Sequence, residues 1–304
     1  MRRTFVTILI ALLALFAVVS VWKRSSGDAV SKDDDRISTF PEKEKIQQFW
    51  EVYRRATRFR IAGNPRKAVA EYRKAISLNN SHEDALYYLG NMYFDLGELE
   101  AAEQIWRRLA EVNPNSARAH SQLGTIYLMI ENGNMFNLDA AEAEFQRAFA
   151  INKEVTAPVL RLGQIALIRG NFSESQRLFN AVIGSNTRSV EAHFLTGYID
   201  WKRGNLQKAL TSLTKAAEYS RPTAPVQRFS GEGDTKSGRP AGSTIDPKEG
   251  GLFETYFSNL SELTMAELPL EINSRYRQLD AFLEQISHKI EHQTNTGAIT
   301  GGQR

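Results

Sequence analysis

A repeat of about 34 residues constrains this chain more than any other feature of its sequence. Gly90, Gly124, Gly163 and Gly197 follow one another at intervals of 34, 39 and 34 residues, and Ala56 lies 34 residues before the first of them. Small residues at a near-constant interval indicate that one supersecondary unit is repeated along the chain. The fold must therefore be one in which copies of that unit stack on their neighbours.

Residues 83–116 show the unit most clearly. Apolar residues recur there at intervals of three and four, which is the spacing of one face of a helix. The first stripe consists of Leu86, Leu89, Tyr93 and Leu96, and the second of Ala102, Ile105, Trp106 and Leu109. Gly97 separates the two, and Pro114 closes the unit. Because such short helices are not stable alone, each pair needs its neighbours.

The second helix and the turn repeat as regularly as the first helix. Small residues at Ala68, Ala102, Ala141, Ser175 and Ala209 are followed, four positions later, by Tyr72, Trp106, Phe145, Phe179 and Leu213. This alternation predicts that the two helices of a pair approach closely and that the bulky residue fills the gap between consecutive pairs. Gly63, Gly97, Gly170 and Gly204 stand in the turns, where we expect positive φ angles at the helix ends.

This pattern resembles the tetratricopeptide repeat, whose period is 34 residues. The resemblance covers residues 49–222, in repeats of about 49–82, 83–116, 117–155, 156–189 and 190–223. It departs most in the third unit, where residues 131–139 (ENGNMFNLD) replace a simple turn and lengthen the interval. The resemblance implies an all-α, right-handed superhelical solenoid of about five helix pairs within residues 42–222. It also implies that the solenoid binds peptides or protein segments, without naming one partner.

An uncharged run at residues 4–22 precedes the repeats. As a helix it would span roughly 28 Å, close to the hydrocarbon thickness of a bilayer. We therefore predict a transmembrane signal-anchor at residues 1–24, and keep a signal peptide cleaved near Val21 as the alternative. Residues 25–41 contain an acidic run at 33–35 and predict a solvated spacer, although a Ca²⁺ site there is conceivable.

The charges around the apolar run bear on its orientation. Arg2, Arg3 and the terminal amine favour a cytoplasmic N-terminus, whereas Lys23 and Arg24 argue for the opposite orientation. We predict a single-pass protein with a cytoplasmic N-terminus and the repeats on the non-cytoplasmic side. In a bacterium this places the repeats in the periplasm, at the inner membrane.

Three segments follow the repeats. Residues 223–250 are rich in Gly, Pro, Ser and charge, and predict a flexible linker. Residues 251–292 predict a C-terminal helical segment interrupted at Pro269, and residues 293–304 a disordered tail. Ile272, Tyr276, Leu279, Leu283, Ile286 and Ile290 form its apolar stripe. That stripe either packs on the solenoid or mediates self-association.

Composition and motifs exclude several classes of function. The formal net charge is only +3 and there is no cysteine, so we expect neither nucleic-acid binding nor thiol chemistry. No nucleotide-binding, hydrolase or metalloprotease motif occurs. His288 and His292 are spaced to share a metal, but no third ligand is evident. We therefore predict no enzyme, no catalytic residues, no cofactor and no metal.

The best candidate site is the concave face, which the first helix of each pair lines in this repeat family. Carrying the family register onto this sequence places thirteen residues there: Tyr53, Tyr87, Asn91, Phe94, Ser121, Thr125, Leu128, Leu160, Gln164, Leu167, Phe194, Tyr198 and Trp201. Aromatic groups with a few amides suit an extended peptide or an amphipathic helix. Either a partner or the C-terminal segment itself fills this groove.

We therefore expect a membrane-anchored scaffold or adaptor that binds a protein or peptide partner in its groove. The resemblance favours assistance in assembling a cell-envelope complex, an analogy at the level of the fold. Three alternatives stay open at this point. They are a homo-oligomeric structural protein assembled through the C-terminal helix, a cytosol-facing protein similar to an import receptor, and a non-catalytic subunit of an enzyme complex.

Overall fold

The computed structural model describes residues 34–129, 135–221 and 252–300. Regular structure in these residues is entirely helical, which confirms the predicted all-α class. The helices are α1 (Asp34–Ile61), α2 (Pro65–Leu78), α3 (Glu83–Asp95), α4 (Leu99–Val112), α5 (Ala117–Tyr127), α6 (Leu138–Ile151), α7 (Thr156–Ile168), α8 (Phe172–Ser185), α9 (Val190–Lys202), α10 (Leu206–Ser220) and α11 (Leu268–Thr300). Two short 3₁₀ turns, Glu254–Tyr256 and Leu260–Glu262, precede α11.

The first ten helices form five antiparallel pairs stacked in chain order. Each helix packs on its partner in the pair, and each second helix also packs on the first helix of the next pair. This nearest-neighbour pattern is that of a solenoid, in which apolar faces are buried only by stacking. The five pairs coincide with the five repeats that the sequence predicts, which are called repeats 1 to 5 below.

The small residues of the first helices allow close packing within each pair. A β-carbon on Gly124 would lie 2.9 Å from the ring of Phe145, and one on Gly163 would lie 2.6 Å from the ring of Phe179. Gly90 meets the indole of Trp106 in the same way, and Trp106 is fully buried. The prediction places the bulky residue between consecutive pairs, but it packs on the first helix of its own pair, where glycine leaves the space that a side chain would fill.

The turns between paired helices also follow the prediction. Gly63, Gly97, Gly170 and Gly204 have φ angles between 69° and 79°. Residues with a β-carbon rarely adopt this conformation, so glycine ends these helices with little strain. In repeat 3, residues 130–134 lie outside the described residues, and α6 begins after Asn137, whose side chain accepts a hydrogen bond from the Ala140 amide at 2.9 Å.

Three boundaries differ from those expected. Helix α1 begins at Asp34, inside the predicted spacer at residues 25–41. Pro269 does not interrupt the C-terminal segment but lies in the first turn of α11, where a missing amide proton breaks no helical hydrogen bond. Helix α11 also continues to Thr300, through most of the predicted tail.

The predicted anchor and linker stay predictions. Residues 4–22 and 223–250 both lie outside the described residues. Among the residues that are described, no helix combines the length and the apolar character needed to cross a bilayer.

Candidate functional site

The thirteen predicted groove residues lie on, or directly after, the first helices of the five pairs, but they differ in exposure. Half-buried are Tyr53, Tyr87, Asn91, Phe94, Ser121, Thr125, Leu160 and Trp201. Buried are Leu128, Gln164, Leu167, Phe194 and Tyr198. The groove is therefore divided: most of its half-buried members belong to repeats 1–3, and four of the five buried ones to repeats 4 and 5.

The C-terminal segment, residues 252–291, covers the first helix of repeat 5. The Phe194 ring centroid lies 5.2 Å from that of Tyr276 and 5.6 Å from that of Phe257. The Tyr276 hydroxyl donates a hydrogen bond to the backbone carbonyl of Phe194 at 3.2 Å. Phe194 and Tyr276 are both fully buried. This part of the groove thus already has an occupant from the same chain.

Three polar contacts fix the position of α11 on repeat 5. The Trp201 indole Nε1 donates to Asn273 Oδ1 at 2.8 Å, and the Tyr198 hydroxyl donates to Asp280 Oδ1 at 2.6 Å. Lys202 Nζ donates to Asp280 Oδ2 at 2.7 Å. Burial acts to raise the pKa of Asp280, but the hydrogen bonds from Lys202 and Tyr198 outweigh it and hold the pKa below its ordinary value.

The residues before α11 are tied to it. Phe253 and Leu260 are fully buried. The guanidinium of Arg275 donates from Nη1 to the Tyr256 carbonyl at 3.0 Å and to Asn259 Oδ1 at 2.9 Å. The two 3₁₀ turns and α11 therefore pack on repeat 5 as one unit. Of the two alternatives that the sequence left open for the C-terminal apolar stripe, packing on the solenoid is the one seen in this chain.

Helix α11 also extends from repeat 5 towards repeats 3 and 4. It contacts α7, the first helix of repeat 4. A cavity of about 870 Å³ separates its second half from the solenoid, and Phe136, Leu167 and Leu283 contribute to the apolar part of the lining. Leu167 of the predicted groove thus faces α11 across this cavity. The C-terminal segment buries Phe194 and Tyr198 of repeat 5 but leaves Trp201 partly exposed, and the cavity separates it from the groove beyond that repeat.

Repeats 1 to 3 show a different surface, built from tyrosines, an arginine and amides. The guanidinium of Arg118 lies 4.7 Å from the ring centroid of Tyr87, a cation–π contact. Gln122 Nε2 donates to Asn91 Oδ1 at 3.2 Å, which orients the Asn91 amide. Burial, followed by the nearby Tyr72 and Asp84, raises the pKa of Tyr53 to about 12, so this hydroxyl is neutral at physiological pH. Such groups can both stack on a ligand and hydrogen-bond to a peptide backbone.

A buried carboxyl lies where repeat 4 meets repeat 5. Gln164 Nε2 donates to Glu191 Oε1, and Arg161 Nη1 lies 3.7 Å from the same oxygen. Burial raises the pKa of the Glu191 carboxyl; Arg161 opposes this rise, and Glu254 of the C-terminal segment adds to it. Gln164 is fully buried, so its amide serves this internal contact and not an external ligand.

No described residues assemble three or more His, Asp or Glu side chains into a metal-binding group. Aromatic, hydrogen-bonding and aliphatic side chains make up the predicted groove, an arrangement suited to binding polypeptide. The sequence pattern included Tyr276 in an apolar stripe but missed Asp280 and Asn273. Asp280 lies four residues after Tyr276 and Asn273 three residues before it. This spacing could have shown that polar side chains border the apolar stripe on the same helix face.

Comparison with known proteins agrees with this fold. Residues 59–124 and residues 160–225 each match a family model described as tetratricopeptide repeat. These two stretches are tetratricopeptide repeats, which confirms the resemblance noted in the sequence. The residues that are described therefore define an all-helical solenoid of the protein-interaction class.

Two curated relatives match part of the chain. Protein O-mannosyl-transferase TMTC1 from Homo sapiens is 32% identical over 137 residues, which are 45% of this chain and 15% of the relative. BBSome complex member BBS4 from Bos taurus is 21% identical over 182 residues, 58% of this chain and 34% of the relative. The matches span only about a seventh and a third of these proteins, so they carry over neither an activity nor a complex.

A solved structure shares the fold. The structure of MamA residues 41 to the end, from Desulfovibrio magneticus RS-1, superimposes with a TM-score of 0.51 at 15% identity. It covers 57% of this chain and 94% of the solved chain. At this identity the likeness extends to the architecture of the repeats and no further.

Proposed function

We propose that this protein is a membrane-anchored scaffold that binds a peptide or protein segment on the concave face of repeats 1–3. One observation carries the proposal. The groove is occupied by the chain's own C-terminal segment at repeat 5, whereas Tyr87, Asn91 and Phe94 of repeat 2 are half-buried and face no such segment among the described residues. Half-buried aromatics beside oriented amides suit an extended or helical peptide.

Position in the repeat register supports this assignment. Phe194, Tyr198 and Trp201 bind the C-terminal segment through two aromatic groups and a hydrogen-bonding group between them. Tyr87, Asn91 and Phe94 occupy the same three register positions in repeat 2. The three positions that contact α11 in repeat 5 therefore carry similar aromatic and hydrogen-bonding side chains in repeat 2, where they can contact another polypeptide.

The anchor, its orientation and a role in assembling a cell-envelope complex belong to the same proposal. They are supported by the uncharged run at residues 4–22 and by the basic N-terminal tail. A homo-oligomer built through the C-terminal helix is the weaker candidate. Ile272, Tyr276 and Leu279, which would form that interface, are buried on the chain's own solenoid.

Site-specific photo-crosslinking tests the groove. A crosslinkable residue at Ser121, on the concave face, should capture a discrete protein in native membranes, and one at the exposed Gln146 on α6 should not. The Ser121 adduct should disappear in Tyr87→Ala/Phe94→Ala while the protein stays folded. An adduct that forms equally from Ser121 and Gln146, or that survives the double substitution, would contradict the proposal.

The anchor is tested separately. The protein should stay in the membrane pellet after a carbonate wash, because a spanning helix resists extraction by high pH. A reporter that is active only in the cytoplasm, fused after Arg304, should be silent. An active reporter would reverse the orientation, and a mature N-terminus near Val21 would replace the anchor by a cleaved signal peptide.

A further inference from the structure

Positive charge is concentrated in repeat 1. Between Arg54 and Lys74 the sequence has six arginines and two lysines against one glutamate, Glu71. This excess of seven positive charges exceeds the net charge of the whole chain, which is +3. The small overall charge therefore hides a basic stretch at residues 54–74, which follows exposed Glu42, Glu44 and Glu51 on the same helix.

Contacts within repeat 1 and with Tyr88 of repeat 2 account for half of these cations. Arg55 and Lys74 both pair with Glu71, at 2.6 Å and 2.8 Å. The Arg60 guanidinium lies 4.1 Å from the ring centroid of Tyr88, and Lys67 lies 5.6 Å from that of Phe59. The other four are exposed and form no ion pair with any residue that the structure describes. They are Arg54, Arg58, Arg66 and Arg73.

Exposed apolar residues lie on the same helix as two of these arginines. Ile46, Trp50, Arg54 and Arg58 follow one another on α1 at four-residue intervals, with Ile61 three residues later. Residues at this spacing lie on one side of a helix. Ile46 is 50% exposed, Trp50 45% and Ile61 74%. Two isoleucines and part of an indole are thus exposed on the same side of α1 as two arginines, while the rest of the indole packs on Phe49, Tyr53 and His82.

We propose that this face of repeat 1 binds the surface of a bilayer that contains anionic phospholipid. Arginines attract anionic headgroups, and a tryptophan with neighbouring aliphatic side chains inserts at the level of the headgroups. The binding face, called the basic face below, consists of Ile46, Trp50, Arg54, Arg58 and Ile61, which share one side of α1.

The position of the basic face in the chain favours a bilayer over other anionic partners. The predicted anchor ends at residue 24 and α1 begins at Asp34, so nine residues lie between them. Even fully extended, nine residues reach only about 30–32 Å. These nine residues hold the start of α1 near the lipid headgroups, so a weak affinity of repeat 1 for the bilayer surface is sufficient to keep it bound. The effect of this short connection rests on the proposed anchor. The attraction of the charge and of the exposed apolar residues to a bilayer is independent of it.

A lipid contact of repeat 1 would also orient the solenoid. Tyr53 on α1 and Tyr87 on α3 belong to the proposed binding groove of repeats 1 and 2, and both are half-buried. With α1 on the membrane surface, a partner bound to that groove is held next to the bilayer.

Fluorescence quenching in lipid nanodiscs tests the contact. The sequence has no cysteine, so a single Ala62→Cys substitution in the exposed turn of repeat 1 can carry an environment-sensitive fluorophore. The labelled full-length protein is placed in discs of phosphatidylcholine alone, or of phosphatidylcholine with one third phosphatidylglycerol, each containing headgroup-labelled quencher lipid. We expect quenching in the anionic discs and little in the neutral ones, and loss of quenching at high salt.

Two charge-matched variants identify the face that binds. Arg54→Gln/Arg58→Gln should lower the ratio of membrane-bound to detached repeat 1 roughly 25-fold, since each basic residue contributes about fivefold. Lys208→Gln/Lys215→Gln removes the same charge from exposed positions of α10 and should leave the ratio unchanged. Circular dichroism verifies that both variants are folded.

The outcomes separate this inference from the proposed anchor. A protein that does not copurify with the discs contradicts the proposed anchor. In that case the same labelled chain is mixed with vesicles of the two compositions. Quenching should still require anionic lipid. Equal quenching in neutral and anionic lipid overturns the inference. So does an equal loss in the Lys208→Gln/Lys215→Gln control, or quenching that an acidic peptide in solution abolishes while the vesicles stay in excess.

Discussion

Tyr276 occupies the space next to Gly197 that an aromatic residue of the second helix occupies in the preceding repeats. In repeats 2 and 4, Trp106 and Phe179 pack on the equivalent glycines, but repeat 5 has the smaller Leu213 at that position. A β-carbon on Gly197 would overlap the Tyr276 hydroxyl. The C-terminal helix therefore completes the core of the last repeat with a side chain from far along the chain.

Substituting Gly197 by Ala should detach or displace α11. The new β-carbon would also lie 3.1 Å from the backbone carbonyl of Ala209, which cannot move without shifting α10. We expect faster proteolysis of the C-terminal segment and a lower melting temperature. Gly184→Ala is the matched control, because nothing lies within 4 Å of its β-carbon, and this helical substitution should stabilise the protein by about 0.4–1 kcal/mol.

Replacing Trp106 by Ala should lower the free energy of unfolding by about 3–5 kcal/mol, because this aromatic side chain is fully buried. Tyr87→Ala should lower it by about 1 kcal/mol, since that side chain is only half-buried. Urea denaturation measures both. A loss in Tyr87→Ala as large as that in Trp106→Ala would mean that Tyr87 belongs to the core and not to a binding surface.

The Asp280 carboxylate should make the docking of α11 weaken in acid. Its pKa is depressed in the folded protein, so its contribution is present above the unfolded pKa of about 3.9 and is lost as the pH falls through the folded pKa. Asp280→Asn should remove about 1–2 kcal/mol near neutral pH, since Tyr198 and Lys202 lose a charged acceptor. The wild type and Asp280→Asn should converge in stability at the acid end of a pH series of denaturation curves.

Glu191 should have the opposite pH dependence. Its folded pKa is raised, mainly by burial, so the wild type is most stable below the unfolded pKa of about 4.3 and loses stability as the pH rises through the folded pKa. Glu191→Gln keeps an oxygen that can accept from Gln164 and removes the buried charge. We expect it to stabilise the protein at neutral pH and to have little effect in acid. A destabilised Glu191→Gln at neutral pH would show that the ion pair with Arg161 outweighs the burial of the charge.

Deleting every residue after Ser220 should expose the apolar surface of repeat 5. Phe194 and Tyr198 are at most 1% exposed in the intact chain, and contacts with Tyr276 and Asp280 contribute to that burial. We expect a lower melting temperature or aggregation, measured by differential scanning fluorimetry and size-exclusion chromatography. A soluble deletion product as stable as the intact chain would show that the C-terminal segment is dispensable for the solenoid.

The amino-acid sequence by itself determined the repeat, its two helices and its turns. These features are local: a helical stripe has a period of 3.6 residues, a turn with positive φ favours glycine, and close packing of paired helices requires a small residue. Gly90 and Gly163 could therefore be predicted as close-packing positions from spacing alone, but the contacts of Trp106 and Phe179 with the first helix of their own pair could not. The helix ends at Asp34 and Leu268 were less predictable, because stable neighbouring turns extend a helix beyond its apolar pattern.

Only the tertiary structure decided which part of the groove is occupied. Tyr198 and Asp280 are separated by 82 residues, and their hydrogen bond depends on where α11 docks. No local periodicity encodes that choice, because an apolar stripe packs equally well on its own solenoid, on another chain or in a coiled coil. The position at which α11 packs is selected by the space beside Gly197. Tyr276 fits that space, which the smaller Leu213 of the same repeat does not fill. That complementarity exists only after the five helix pairs have stacked.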